Sequence, residues 1–290
     1  MPDIVIHVVA AAAYVALAWH FWKTRWRAAG GVPRTPEVLQ SGIPQSGAAQ
    51  SGLRGWERAA ILVPLGIHGF LLYFEIFGKS ELRFGFAQAL SVMTWLGVAL
   101  YWVESLFYSL DGMEPLVLPL AAVAVPLPAL FPGLASSGTY AHAPAFKLHL
   151  ALAMIAYSLF MIALLHATLM AVAERQLHRK STLTAINLPP LLTLEKLLFR
   201  VIGAAFLFLT LTLATGIVFS EALFGQPLRA DHKTVFAILS WLTFGLLLAG
   251  RRLYGWRGRT ALRWTLTGFV MLLLAYVGSR FVLEVLLGRG

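Results

Sequence analysis

Two histidines stand at the entrances of long apolar runs: His149 in AFKLHLALAMIAYSLF and His232 in RADHKTVFAILSWLTF. Neutral imidazoles suit a transition metal or haem iron, whereas Mg2+ and Ca2+ want oxygen ligands. Just below a membrane surface, such a ligand would stay reachable from water. Asp231 precedes His232, where it can cap a helix or bond a ring nitrogen of a ligating histidine. Ala153, Tyr157 and Phe160 follow His149 on its helical face, and a small residue one turn below leaves room for a flat apolar ligand. Lys147, Arg229, Lys233 and Arg280 place cations beside these positions. They would suit the two propionates of a haem, or lipid headgroups.

The remaining histidines divide by position. His68 lies near the middle of an apolar run, with Glu75 seven residues on and almost on the same face. Ionisable residues inside a span are costly, so His68 is either bonded to a neighbouring helix or serves as a buried ligand or proton carrier. His166 follows His149 by 17 residues, roughly 25 Å of helix, and cannot share its site. His7, His20 and His178 read as ordinary interfacial residues. His142, in FPGLASSGTYAHAP, is a candidate lid or entry ligand.

The elements that must hold these residues are set by composition. The chain of 290 residues is 59% hydrophobic and 12% charged, with mean hydropathy +0.75. A crossing helix needs roughly 20 apolar residues. Eight runs qualify, at about 3–22, 58–77, 85–103, 115–131, 146–171, 197–219, 233–250 and 260–287. The fourth is the weakest, short and broken by Pro119, Pro126 and Pro128. Backbone groups in lipid must pair internally, and the alternation of a membrane barrel is absent. The expectation is therefore all-α: a polytopic membrane helix bundle of about eight transmembrane helices in one integral membrane domain, 1–290. Trp95, Trp102, Trp241 and Trp264 read as aromatic belt or helix packing.

The net charge of +10 would raise nucleic acid as a partner in a soluble chain. Here the cations sort by membrane side instead, so no nucleic acid is expected and the bilayer is the partner. The connections at 23–58, 104–114, 172–200 and 251–263 hold 16 of the 23 basic residues. By the positive-inside rule they are cytoplasmic, and both termini lie outside. The first run lacks a basic segment ahead of it and reads as a retained span rather than a cleaved signal. Residues 28–55, rich in Gly, Ser, Pro and Gln, read as a flexible cytoplasmic loop, and GRRLYGWRGR at 250–259 as a tight basic turn. With no cysteine, thiolate metal sites and CxxCH haem attachment are excluded, so any haem would be held non-covalently. No Gly-rich phosphate loop, HExxH or GxSxG is present, and no enzyme is indicated.

Four stretches carry a family resemblance: KLHLALAMIAYSLF (147–160), FRVIGAAFLFLTLTLATGIVFSEALFG (199–225), DHKTVFAILSWLTFGLLL (231–248) and GWRGRTALRWTLTGFVMLLLAYVGSRFVLEVL (255–286). From about 146 to 286 the chain resembles the cytochrome c assembly superfamily, which includes CcsA, CcmC and HemX. Within it, the chain looks like the YpjD-type inner-membrane branch. The resemblance implies a multi-pass protein of the bacterial inner membrane, with haem and other cytochrome c assembly or haem-pathway proteins as partners. CcsA-type members bind haem at a tryptophan-rich external segment flanked by ligating histidines. His149 matches the first of these, a histidine at the head of a span with a tyrosine eight residues on. The segment SEALFGQPLRADH (220–232) stands where the tryptophan-rich motif would be and contains none, and LLGRG lacks the second external histidine.

Together these readings predict a haem-handling protein that binds haem b through His149 and His232, with Asp231, Lys147, Arg229, Lys233, Arg280 and Tyr157 around it and His68 as a buried candidate. The alternatives are a HemX-like regulatory or scaffolding protein without haem, acting through the 172–200 and 251–263 loops, and a transporter of ions or small molecules using His68 and Glu75.

Overall fold

The computed structural model describes residues 2–27, 52–78, 82–133, 135–136, 143–178, 191–224 and 231–288. His142, Arg229, most of the 28–55 loop and the side chain of His178 lie outside the described residues. The apolar runs are helices: α1 (Pro2–Phe21), α2 (Gly55–Phe77), α3 (Phe86–Phe107), α4 (Glu114–Ala124), α5 (Leu127–Leu130), α6 (Pro144–His178), α7 (Leu191–Phe224), α8 (His232–Tyr254) and α9 (Arg259–Leu273). The last continues through a π-helical turn, Leu274–Gly278, into α10 (Ser279–Phe281) and a second π turn, Val282–Leu286.

Among the described residues seven helices are long and apolar enough to cross a membrane, and the fourth run is a shorter apolar stretch, Glu114–Leu130. It breaks at Val125–Pro126, because a proline has no N–H to bond and its ring crowds the preceding turn. α4 is nonetheless central, with Val117, Leu118 and Ala121 fully buried. It packs against α1, whose inward face is His7, Ala10, Tyr14 and Phe21. His7 is therefore a core residue, 1% exposed, and not the interfacial histidine its place near a terminus suggests. A two-residue antiparallel ladder also joins two connections, β1 (Leu82–Arg83) and β2 (Ala135–Ser136).

The helices form two groups that meet along α3 and α6. α1 to α4 make one, and α6 to α9 the other. At the basic end, the Arg25 guanidinium is bonded to Asp111 and lies 2.7 Å from Glu57, which also lies 3.3 Å from His20. Asp111 in turn accepts the Gly52 amide at 3.0 Å. This network ties α1 to α2 and to the turn before α4. Arg251 pairs with Glu195 at 2.5 Å, joining α8 to α7 at the same end. The predicted basic turn closes the α8–α9 hairpin, with Gly255 at φ 67°, a left-handed conformation that glycine adopts without a Cβ clash.

At the opposite end, Phe86 contacts both Phe131 and Phe281, and the Tyr276 hydroxyl donates to the Phe84 carbonyl at 3.3 Å. These contacts fasten the last helix to the start of α3. The tryptophans bridge helices: Trp95 donates to Leu65 O at 2.9 Å, Trp102 to Arg58 O at 3.1 Å and Trp241 to Thr210 Oγ1 at 2.9 Å. Trp264 stacks on Trp256.

Candidate functional site

His149 is the sixth residue of α6 and faces α7, its Nδ1 3.0 Å from Thr215 Oγ1. The Thr215 hydroxyl has one proton, and it donates back along its own helix to Leu211 O at 2.8 Å, with Thr212 O at 3.0 Å. With its proton on a helix carbonyl this oxygen accepts from His149 Nδ1–H, the tautomer that leaves Nε2 with the lone pair. The Thr212 carbonyl is a further partner of the His149 ring. In that tautomer Nε2 keeps its lone pair. This is the usual arrangement of a ligating histidine, in which a bond at one nitrogen fixes the tautomer and leaves the other for a metal. Gly216 lets the ring sit there, because a Cβ at that position would lie 3.3 Å from His149 Cε1.

The face below His149 is closed. Tyr157 is 5% exposed and donates its hydroxyl to Leu272 O at 2.6 Å. Leu272 adjoins the π turn of the last span, where the regular helical bonding pattern is interrupted. Phe160 is fully buried and stacks on Phe244 with ring centres 3.7 Å apart. Phe244 reaches it by lying against Gly268, where a Cβ would come within 2.7 Å. A flat ligand on His149 would therefore approach from the helix end, and Tyr157 serves as a brace between α6 and α9.

His232 begins α8 and faces the last helix instead. Its Nε2 lies 2.8 Å from Ser279 Oγ, and among the described residues no hydrogen bond is made at Nδ1. Ser279 starts α10, between the two π turns. Asp231 caps α8 as expected, accepting the Thr234 amide at 2.9 Å. Burial pushes its carboxyl up, but the Thr234 amide and hydroxyl and the Lys233 charge outweigh that and hold it below its usual value. Lys233 and Arg280 lie near enough to repel each other, and the Arg280 guanidinium sits 5.8 Å from the centre of the Tyr276 ring. His232, Asp231, Lys233, Ser279 and Arg280 thus form one group where α8 meets the last helix. His149 stands apart on the α6–α7 pair, and among the described residues no hydrogen-bond partner is common to the two histidines.

Lys147 is not on the His149 face. Two residues along a helix turn a side chain by about 200°, and Lys147 lines a groove between α2, α3 and α6. His68 is engaged at both nitrogens, with Nδ1 3.4 Å from the Tyr14 hydroxyl and Nε2 2.8 Å from Ser91 Oγ. It offers no free donor atom to a ligand in this arrangement. His166 is fully buried, its Nδ1 donating to Ile162 O at 3.0 Å and its Nε2 3.4 Å from Glu104. Neither Thr215 nor Ser279 is marked by sequence spacing, since each is one hydroxyl among many on a long helix.

A family model described as "Cytochrome C assembly protein" matches residues 56–287. Inner membrane protein YpjD of Escherichia coli (strain K12) is 34% identical over 143 residues, 49% of this chain and 54% of that protein. A protein of Azospirillum brasilense, described as an uncharacterized 28.8 kDa protein in the nifR3-like 5′ region, is 38% identical over 143 residues, 49% of this chain and 52% of that one. Cytochrome c biogenesis protein CcsA of Nostoc punctiforme is 34% identical over 98 residues, 34% of this chain and 26% of that protein. The matched region thus spans about half the length of the first of these relatives. No solved structure matches the chain.

Proposed function

Because the chain belongs to the cytochrome c assembly protein family, we propose that it is a haem-handling protein of the bacterial inner membrane, with His149 as an iron ligand. The observation that supports this reading is the Thr215 bond at Nδ1, which orients the His149 ring and suits the tautomer with a lone pair on Nε2. The donor chemistry fits haem iron, and the site needs no thiolate. The inner-membrane location rests on the likeness to YpjD and the seven span-length helices. The cytochrome c connection rests on the family and on the likeness to CcsA.

His232 is the proposed second ligand through Nδ1, with Lys233 and Arg280 beside it for the propionates. When bound, haem would supply a redox-active iron; the protein's own part is to hold it. Ser279 and Thr215 set the ring orientations, and Asp231 fixes the start of α8. The whole molecule is then a carrier or holder in the pathway, not a catalyst of bond formation. Its partners would be haem and other membrane proteins of haem or cytochrome c assembly.

The bond between His232 and Ser279 also favours a second reading, in which His232 is structural and the chain acts as a regulatory or scaffolding membrane protein without haem. Haem content of the purified full-length protein separates them, measured as the pyridine haemochrome. The haem reading expects about one haem per chain after loading, lost in His149→Ala. The scaffolding reading expects none at any loading.

A further inference from the structure

We infer that the groove between α2, α3 and α6 is a binding site for an anionic phospholipid, with Lys147 on the phosphate and the acyl chain against α3. The inference is independent of the haem reading. The cavity is about 460 Å³ and runs down the side of the bundle, lined almost wholly by apolar side chains, with Lys147 its single charged group. Lys147 is the fourth residue of α6, and the lining on that helix runs to Ile155. That is about 12 Å of helix, enough for much of one leaflet's acyl chain.

The floor and walls are shaped for hydrocarbon. Trp95 forms the floor, and its indole N–H is already bonded to Leu65 O, so it presents only ring carbons. Gly69 allows this, because a Cβ there would lie 2.9 Å from Trp95 Nε1. Leu150 and Ala151 form the α6 wall, and Tyr73 and Phe77 the α2 wall. Tyr73 and Phe77 are more than half exposed and stand in the last turns of α2, near the depth at which Lys147 enters. Aromatic rings with a polar tip favour that interfacial depth.

Charge decides the headgroup. Among the described residues no carboxylate pairs with Lys147, so its cation meets whatever lies at the groove mouth. A zwitterionic headgroup would set its own ammonium beside Lys147, whereas an anionic one would not. No imidazole lines the cavity, so it offers haem iron none of the nitrogen ligands argued above.

Retention of phosphatidylglycerol against phosphatidylcholine by the full-length protein tests this, counted by native mass spectrometry from equimolar mixed micelles. The wild type should retain one phosphatidylglycerol in preference to phosphatidylcholine by about fivefold, the effect of one cation near a membrane surface. Lys147→Gln should remove the preference, Lys147→Arg should keep it, and Ala151→Trp should fill the groove and lower retention of both lipids. Lys147 and Ala151 are both exposed, so helix content and elution should not change. Equal retention of the two lipids by the wild type overturns the inference, and that comparison needs no variant. So does a preference that survives Lys147→Gln, or a porphyrin displaced by Ala151→Trp with lipid content unchanged.

Discussion

Thr215 Oγ1 lies 3.0 Å from His149 Nδ1 and 2.8 Å from Leu211 O of its own helix, so it anchors the Nδ1 edge of the ring to α7 and turns Nε2 away from that bond. Replacing Thr215 by Val keeps the shape and removes the acceptor. The ring is then free to change tautomer and to turn. Haem affinity should fall by about 10- to 100-fold, the usual effect of losing a partner behind a ligating histidine. Titration of the purified protein with haem measures it, and an unchanged dissociation constant would show that Thr215 has no orienting role.

Tyr157 and Leu272 make a different kind of pair. The 2.6 Å bond from the Tyr157 hydroxyl braces α6 against α9 beside the π turn. Tyr157→Phe leaves that carbonyl without its partner in a buried setting. The expected loss is about 1–3 kcal/mol, read as a lower melting temperature in detergent. Haem stoichiometry should be unchanged, since the hydroxyl is engaged with Leu272 O. Loss of haem with unaltered stability would instead make Tyr157 a ligand contact.

Much of the bundle was legible in the sequence. Spans can be counted because lipid forbids unpaired backbone, so apolar length alone marks them. The run marked as weakest by its prolines, Glu114–Leu130, is the shorter apolar stretch, divided into 11- and 4-residue helices. His149 stood out by its place at the head of a span. What made it chemically specific did not: Thr215 is 66 positions away, and only helix packing brings them together. Lys147 shows the reverse error, since nearness in sequence put it beside His149 while the helical turn puts it in another cavity. His7 was misjudged because a residue near a terminus reads as exposed, yet it is buried in α1, which packs against both α4 and α2.

Asp231 links the start of α8 to pH. Its carboxyl is held below its usual value by the Thr234 amide and the Lys233 charge, against burial. A lowered folded value means the contribution is present above the ordinary carboxylate range, near pH 3.9, and is lost as pH falls through the folded value. Asp231→Ala should cost about 0.5–2 kcal/mol at neutral pH, as for other N-caps. The difference between wild type and variant should narrow below about pH 4. A gap that stays constant down to pH 2 would contradict the cap assignment.

We propose from the positive-inside rule that the basic loops face the cytoplasm, and this orientation is open to direct test. The chain contains no cysteine, so single introduced thiols report without background. Arg257→Cys, in the α8–α9 turn, should be shielded from an impermeant maleimide in intact cells. A thiol placed at Pro144 should react. The opposite pattern would invert the bundle and put His149 on the cytoplasmic side.

The central claim is that His149 supplies Nε2 to haem iron, and the optical spectrum of the purified full-length protein tests it most directly. Haem added to the wild type should give a saturable Soret band with low-spin features, and His149→Ala should abolish or shift it while the protein remains folded. A wild type that ignores added haem, or a spectrum identical in His149→Ala, would contradict the account.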